Sequence, residues 1–166
     1  MERVKGRKIT GINFETGECT FQNPTILTND PSITAWGWAV MTPNGSVVDC
    51  GCIKTAPEQK KRRIRKSDDT QRRANEVIRP LLNIIKRYNV KFILSESPHG
   101  SQNASAAVMI GLVMGIACTI SECLHIPIEL YSEGDSKKCT LGKLSASKGE
   151  MIERINELYD VPFTGT

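Results

Sequence analysis

Two carboxylates, Asp30 and Glu96, each close a run that otherwise reads as a strand of a protein core: Thr25-Ile26-Leu27-Thr28-Asn29-Asp30 and Val90-Lys91-Phe92-Ile93-Leu94-Ser95-Glu96. An ionised acid on a core strand is costly unless something compensates it, and a divalent cation is a common compensator. Turn-type residues come after each run, Pro31-Ser32 and Ser97-Pro98, so both acids surface at a sheet edge. Neighbouring strands would make them converge, the start of a metal site. Taken singly, each has a plainer reading: Asp30 as a turn cap before proline, Glu96 as a salt-bridged surface residue.

The elements that must position these acids can be read from periodicity. Residues 7–23 read as a β-hairpin turning at Glu15-Thr16-Gly17-Glu18, an N-terminal extension (1–24) with no assigned role. Thr25–Asn29, Thr34–Met41 and Ser46–Lys54 read as three strands of an antiparallel meander, with Pro43-Asn44-Gly45 as a hairpin turn. Apolar residues recur at helical spacing from Asp69 to Arg87, with Pro80 inside the pattern, where it should kink the helix or cost stability. Phe92–Glu96 is a strand, Asn103–Cys123 a helix rich in small residues, and Ile126–Tyr131 a strand. A polar, Lys-rich loop precedes a last helix, Ser145–Tyr159, which Ser145 or Ser147 can cap. Trp36 and Trp38 share a strand face and are expected to pack in the core; His125 reads as structural. The order predicts an α/β domain over 25–166: a mixed five-stranded sheet, the meander plus two parallel strands, with helices on both faces. That is the element order of an RNase H-like fold, although pattern alone leaves other α/β topologies open.

Composition sets the class of molecule. A chain of 166 residues, 39% hydrophobic and 24% charged, predicts one globular domain with a real core. The net charge of +4 is unevenly placed: Lys60-Lys61-Arg62-Arg63-Ile64-Arg65-Lys66 is a dense basic run, with Arg72-Arg73 soon after. Such a run suits either a polyanionic partner or a solvated loop. None of the six cysteines forms a zinc-type pair, and Cys118 is expected to be a buried free thiol. The N-terminus has no apolar region behind it, and the apolar stretch Ala106–Ile120 is short for a bilayer span. A reducing cytoplasm and no membrane partner are the resulting expectations.

Three ordered motifs add a resemblance. Asp30-Pro31-Ser32, with Gly37 and Trp38 on the next strand, resembles the first motif of the RuvC family of Holliday-junction resolvases; Ser32 stands where the family has glycine, and Thr28-Asn29 where it has Gly-Ile. Glu96, with Asn103-Ala104, Ala107, Gly111 and Gly115 after it, is similar to the second motif and its glycine-bearing helix. Tyr131, Lys137, Gly142, Ala146 and Lys148 are spaced like the third. The resemblance covers roughly residues 25–160.

It implies a Mg²⁺-dependent endonuclease, with Mn²⁺ able to substitute, that resolves four-way DNA junctions in recombination and repair. Asp30 and Glu96 would be catalytic metal ligands, and Lys148 would offset charge in the transition state. Lys137, Lys138, Lys143 and Lys148 would contact phosphates, together with Arg62 and Arg63 of the basic run. His99 stands three residues after Glu96, where the family often has an aromatic wedge; it would stack on a base or merely hydrogen-bond within its loop. Symmetric cleavage implies a homodimer, with the helix face of Val108, Met109, Leu112, Val113 and Met114 as candidate interface. The family also has a final acidic pair on a last helix, which this sequence lacks before it stops at Thr166; Asp135 and Asp160 do not match it. That departure predicts a C-terminally truncated chain with weak metal binding and some uncovered apolar surface, or a junction-binding protein without catalysis. A phosphotransferase of the actin-like ATPase group would also start with Asp on a first strand, but needs a second domain.

Overall fold

Alternation along the first strand sets the architecture. In β1 (Thr25–Asp30), Thr25, Leu27 and Asn29 are buried, Ile26 and Thr28 are half-buried, and Asp30 emerges at the end. The computed structural model describes residues 23–58 and 64–159. The expected N-terminal hairpin, residues 59–63 of the basic run, and Asp160 with the rest of the C-terminus lie outside the described residues.

β2 (Ala35–Met41) and β3 (Val47–Lys54) complete the antiparallel meander, while β4 (Val90–Glu96) and β5 (Ile128–Tyr131) add in parallel. The strand order is β3-β2-β1-β4-β5. Parallel neighbours need a crossover, supplied by α1 (Lys66–Arg87) between β3 and β4 and by α2 (Ala104–Leu124) between β4 and β5.

Both crossover helices lie on one face of the sheet. Ala74, Val77, Leu81 and Ile85 of α1 and Val113, Ile116, Ala117 and Ile120 of α2 join Leu27, Trp36, Val40 and Ile93 in a single core. Trp36 is 0% exposed, and its indole Nε1 donates to Asn29 Oδ1 at 3.1 Å; Trp38 is half-buried against the same core, so both tryptophans pack as expected. The opposite face, with Ile26, Thr28, Ala39, Phe92 and Leu94, is half-buried. Pro80 sits inside α1, which runs unbroken from Lys66 to Arg87, starting three residues earlier than its periodicity suggests.

Four expectations need correction. The supposed Lys-rich loop contains a helix, α3 (Glu133–Leu141). It buries no residue, so it carries no apolar stripe to read; its ends hold it instead. Ser132 and Asp135 form a reciprocal capping box, and Gly142 closes it at φ 73°, a left-handed turn that suits glycine. Cys118 is exposed, because α2 turns only a narrow stripe to the core and the thiol falls outside it. β5 begins at Ile128, two residues later than expected, after His125 ends α2 with a left-handed φ of 52°; His125 is thus a terminating residue, as its structural reading implied. α4 (Lys148–Leu158) is shorter than the expected helix and is capped by Ser147, paired with Glu150 in a second capping box. α3 and α4 pack mainly on one another. α2, at 21 residues, is by length and composition the one described helix that would suffice to cross a membrane; here its buried stripe lies on the sheet.

Leu81, 1% exposed at the centre of the core, tests this packing. Leu81→Ala should lower unfolding free energy by about 3 kcal/mol, read as a shift of the urea midpoint at unchanged slope.

Candidate metal and nucleic-acid site

The β1–β4 ladder ends with Asn29 opposite Ser95. One residue further, Asp30 and Glu96 leave adjacent parallel strands side by side. Side chains alternate: Asn29 and Ser95 are buried on the helix-covered face, so both carboxylates point to the other face. Gly37 pairs with Asp30 on one side and Tyr131 with Glu96 on the other. The result is one row across the sheet, Gly37, Asp30, Glu96, Tyr131, at the C-terminal ends of β1, β4 and β5. A Cβ at Gly37 would lie 3.4 Å from Asp30 Cβ and 3.9 Å from its Oδ2, so any longer side chain there would lie over the carboxylate.

The row is electrostatically stressed. Partial burial raises the Asp30 carboxyl above the usual range, against the pull of Lys148. Burial also raises Glu96, with repulsion from Asp30 and then Glu133 adding to it; His99 and Lys137 oppose the shift. The Tyr131 hydroxyl is pushed up to about 12 by burial and by the nearby Glu96 and Asp30 charges. It therefore keeps its proton at neutral pH and can donate a hydrogen bond. Two neighbouring carboxyls, both raised by burial, are an oxygen donor set suited to a hard divalent cation, which would relieve both burial and repulsion. Among the described residues no third acid joins them in a metal-ligating group.

The predicted cations divide. Lys148, the first residue of α4, acts on Asp30, and Lys137 and His99 act on Glu96. Lys137 is held by Glu133 one turn earlier on α3, Nζ to Oε1 at 2.6 Å, and that bond keeps the Glu133 carboxyl below its ordinary value. Lys143 is ion-paired with Glu150, whose carboxyl is pushed down to about 2. Lys138 is exposed near the end of α3. Arg62 and Arg63 lie outside the described residues. Two neighbours were not among the expected site residues. Tyr131 stood in the sequence only as a motif position, and Glu133 was hidden in the supposed loop. The Ser132-x-x-Asp135 capping pattern is the signal that places Glu133 in the first turn of a helix, beside the row.

A family model described as Crossover junction endodeoxyribonuclease RuvC matches residues 26–163. A protein of that name from Ehrlichia ruminantium (strain Gardel) is 26% identical over 147 residues, covering 85% of this chain and 86% of its own. One from Nitratidesulfovibrio vulgaris (strain Hildenborough) is 22% identical over 140 residues, covering 82% and 78%. In fold, the chain is similar to T. thermophilus RuvC in complex with Holliday junction substrate, with a TM-score of 0.69 at 17% identity over 82% of this chain and 80% of that one.

The raised carboxyls make a stability prediction. A folded-state pKa above the unfolded one favours the native state at low pH, an advantage lost as pH rises through the raised value. In divalent-free buffer, Asp30→Asn should therefore unfold at higher urea than the natural chain at pH 7. That gain should vanish near pH 3, below the usual range of both acids, about 3.9 and 4.3. Equal midpoints at pH 7 would remove the case for a strained pair.

Proposed function

The chain belongs to the RuvC family of crossover junction endodeoxyribonucleases, and on that premise we propose that it is a structure-selective nuclease that nicks four-way DNA junctions with Asp30 and Glu96 as its metal-binding acids. The family is one of metal-dependent nucleases; for this chain the reading commits to Mg²⁺, with Mn²⁺ as a substitute. The observation that carries it is the pair of neighbouring strand-end carboxylates, both raised by burial. A divalent ion held by them supplies activation of water and stabilisation of the leaving oxygen in phosphodiester hydrolysis.

The chain's own residues do the rest. Lys148, within electrostatic reach of Asp30, would offset charge that builds in the transition state. Lys137, Lys138 and Lys143 would fix phosphates on the α3–α4 side, and Arg62 and Arg63 would contact phosphates as well. His99, exposed in the loop after β4, would stack on a base at the junction. Tyr131 would donate its retained proton to a phosphate or water beside Glu96. Gly37 keeps the flank of Asp30 open.

Two symmetric nicks call for a two-fold dimer. Of the expected α2 face, Val113 is buried and Met109 and Leu112 pack against the protomer's own core, whereas Val108 is 64% exposed. The dimer surface would accordingly be the Val108 side of α2, with the exposed Gly111, Gly115 and Cys118. The five described cysteines are free, which suits a reducing cytoplasm. A second reading, junction binding without cleavage, is favoured by the absence of a third acid beside Asp30 and Glu96 among the described residues.

Synthetic four-way junctions and linear duplexes incubated with Mg²⁺ test both readings. The natural chain should nick junctions in preference to duplex, and Asp30→Asn should slow cleavage by about 100-fold while leaving binding intact. Lys137→Ala should reduce the slope of log affinity against log salt by about one. Tight junction binding without cleavage would establish the second reading, and no junction binding would overturn both.

A further inference from the structure

Arg73 is a buried cation, 9% exposed, on the core-facing side of α1. Removing a guanidinium from water is expensive, and nothing in an ordinary helix–sheet contact requires it. Here its donors are directed to one place. Nε donates to Thr55 Oγ1 at 2.8 Å, and Nη2 donates to Thr34 Oγ1 at 3.0 Å and to the Ile33 carbonyl at 3.3 Å. Thr55 closes the ring: its hydroxyl donates to the Ile33 carbonyl at 2.5 Å and its amide to the Thr34 carbonyl at 2.9 Å.

All of these acceptors belong to the loop after Asp30, or to Thr55, which ties that loop to the end of β3. Pro31 and Ile33 of the loop are buried, so it is pinned from the core side while the Asp30 carboxylate leaves on the other face. The same turn of α1 holds the chain beyond Thr55. Arg72 Nη2 donates to the Ala56 carbonyl at 2.7 Å, and Asp69 Oδ1 accepts from the Glu58 amide at 3.2 Å. Asp69 also lies within electrostatic reach of Arg73 and offsets its charge.

We propose that Arg73 is a positioning residue for Asp30: through Ile33, Thr34 and Thr55 it fixes the loop that sets where the Asp30 carboxylate stands beside Glu96. An apolar side chain could fill the same volume, but it could not hold a carbonyl and two hydroxyls at fixed distances. The planar fork of arginine can, and a lysine reaches fewer of the three. The proposal rests on reading Asp30 as a metal ligand.

Mn²⁺ binding to the full chain by titration calorimetry, paired with amide hydrogen exchange at Ile33, Thr34 and Ala35, separates the two. The natural chain should bind Mn²⁺, and Asp30→Asn should not. Arg73→Gln should exchange faster at those amides and bind Mn²⁺ about tenfold more weakly, with Arg73→Lys recovering part of the loss. Leu81→Ala, destabilised in the core at a distance from the loop, should bind like the natural chain. Unchanged Mn²⁺ affinity in Arg73→Gln, alongside lost binding in Asp30→Asn, would reduce Arg73 to a structural residue and leave the metal site standing. If Arg73→Gln does not fold, unchanged affinity in Arg73→Lys overturns the proposal in the same way. No Asp30-dependent binding in the natural chain would sink the metal site and this proposal together.

Discussion

Two like charges at the ends of adjacent parallel strands are the constraint that organises this molecule. Their proximity is not a local choice. Leu27 pairs with Ile93 in a core that both strands must feed, and a slip of one residue in either strand would turn its buried set outward and its acid inward. Hydrophobic register therefore forces Asp30 and Glu96 together, and the electrostatic cost falls on whatever surrounds them. Lys148 from α4, Lys137 from α3 and His99 from the loop after β4 each offset part of it. The C-terminal third of the chain thus supplies counter-charge to a pair created by the central sheet.

Much of this was legible because it rests on period and on isolated exceptions to period. The β-meander, the crossover helices and the order of elements along the chain came from alternation and from apolar recurrence on α1 and α2, whereas the order of strands in the sheet came from the structure. The two acids stood out because they broke the alternating pattern where a strand should end. Three ordered motifs then named the family, which no single spacing could have done. Trp36 and Trp38 were placed correctly for the same reason: i and i+2 on a strand share a face.

The features that escaped reading have a common physical origin. α3 has no apolar face, so hydrophobic periodicity could not report it; end-capping chemistry stabilises it, and that signal is short. Cys118 lies in an apolar stretch, yet α2 buries only the stripe of Val113, Ile116, Ala117, Ile120 and Ser121. An apolar composition around a residue does not say which way it faces. Arg73 looked like one more member of a basic run, and only tertiary contacts separate it from Arg72, which lies more exposed in ion pairs with Asp69 and Glu76. Charge counts in sequence cannot distinguish a solvated cation from one that organises a loop.

Six described carboxyls shift in one of two directions, and this bears on how the site is to be read. Asp69, Glu133, Asp135 and Glu150 are all lowered, each first by a side-chain hydrogen bond. They are content with the partners they have. Asp30 and Glu96 are raised instead, each first by burial. A fold that supplies caps and ion pairs to its helix acids leaves these two raised by burial, the pattern that the proposed metal-binding reading requires. The lysines show the complementary arrangement. Lys137 and Lys143 are held by Glu133 and Glu150 in solvent-exposed pairs that contribute little to stability. The first of these pairs keeps Lys137 near Glu96, and exposed pairs of this kind yield readily to a phosphate. Asp30 and Glu96 lie within electrostatic reach of Lys148 and Lys137, so on the proposed reading the arrival of a metal ion and of a polyanion would relieve the same imbalance.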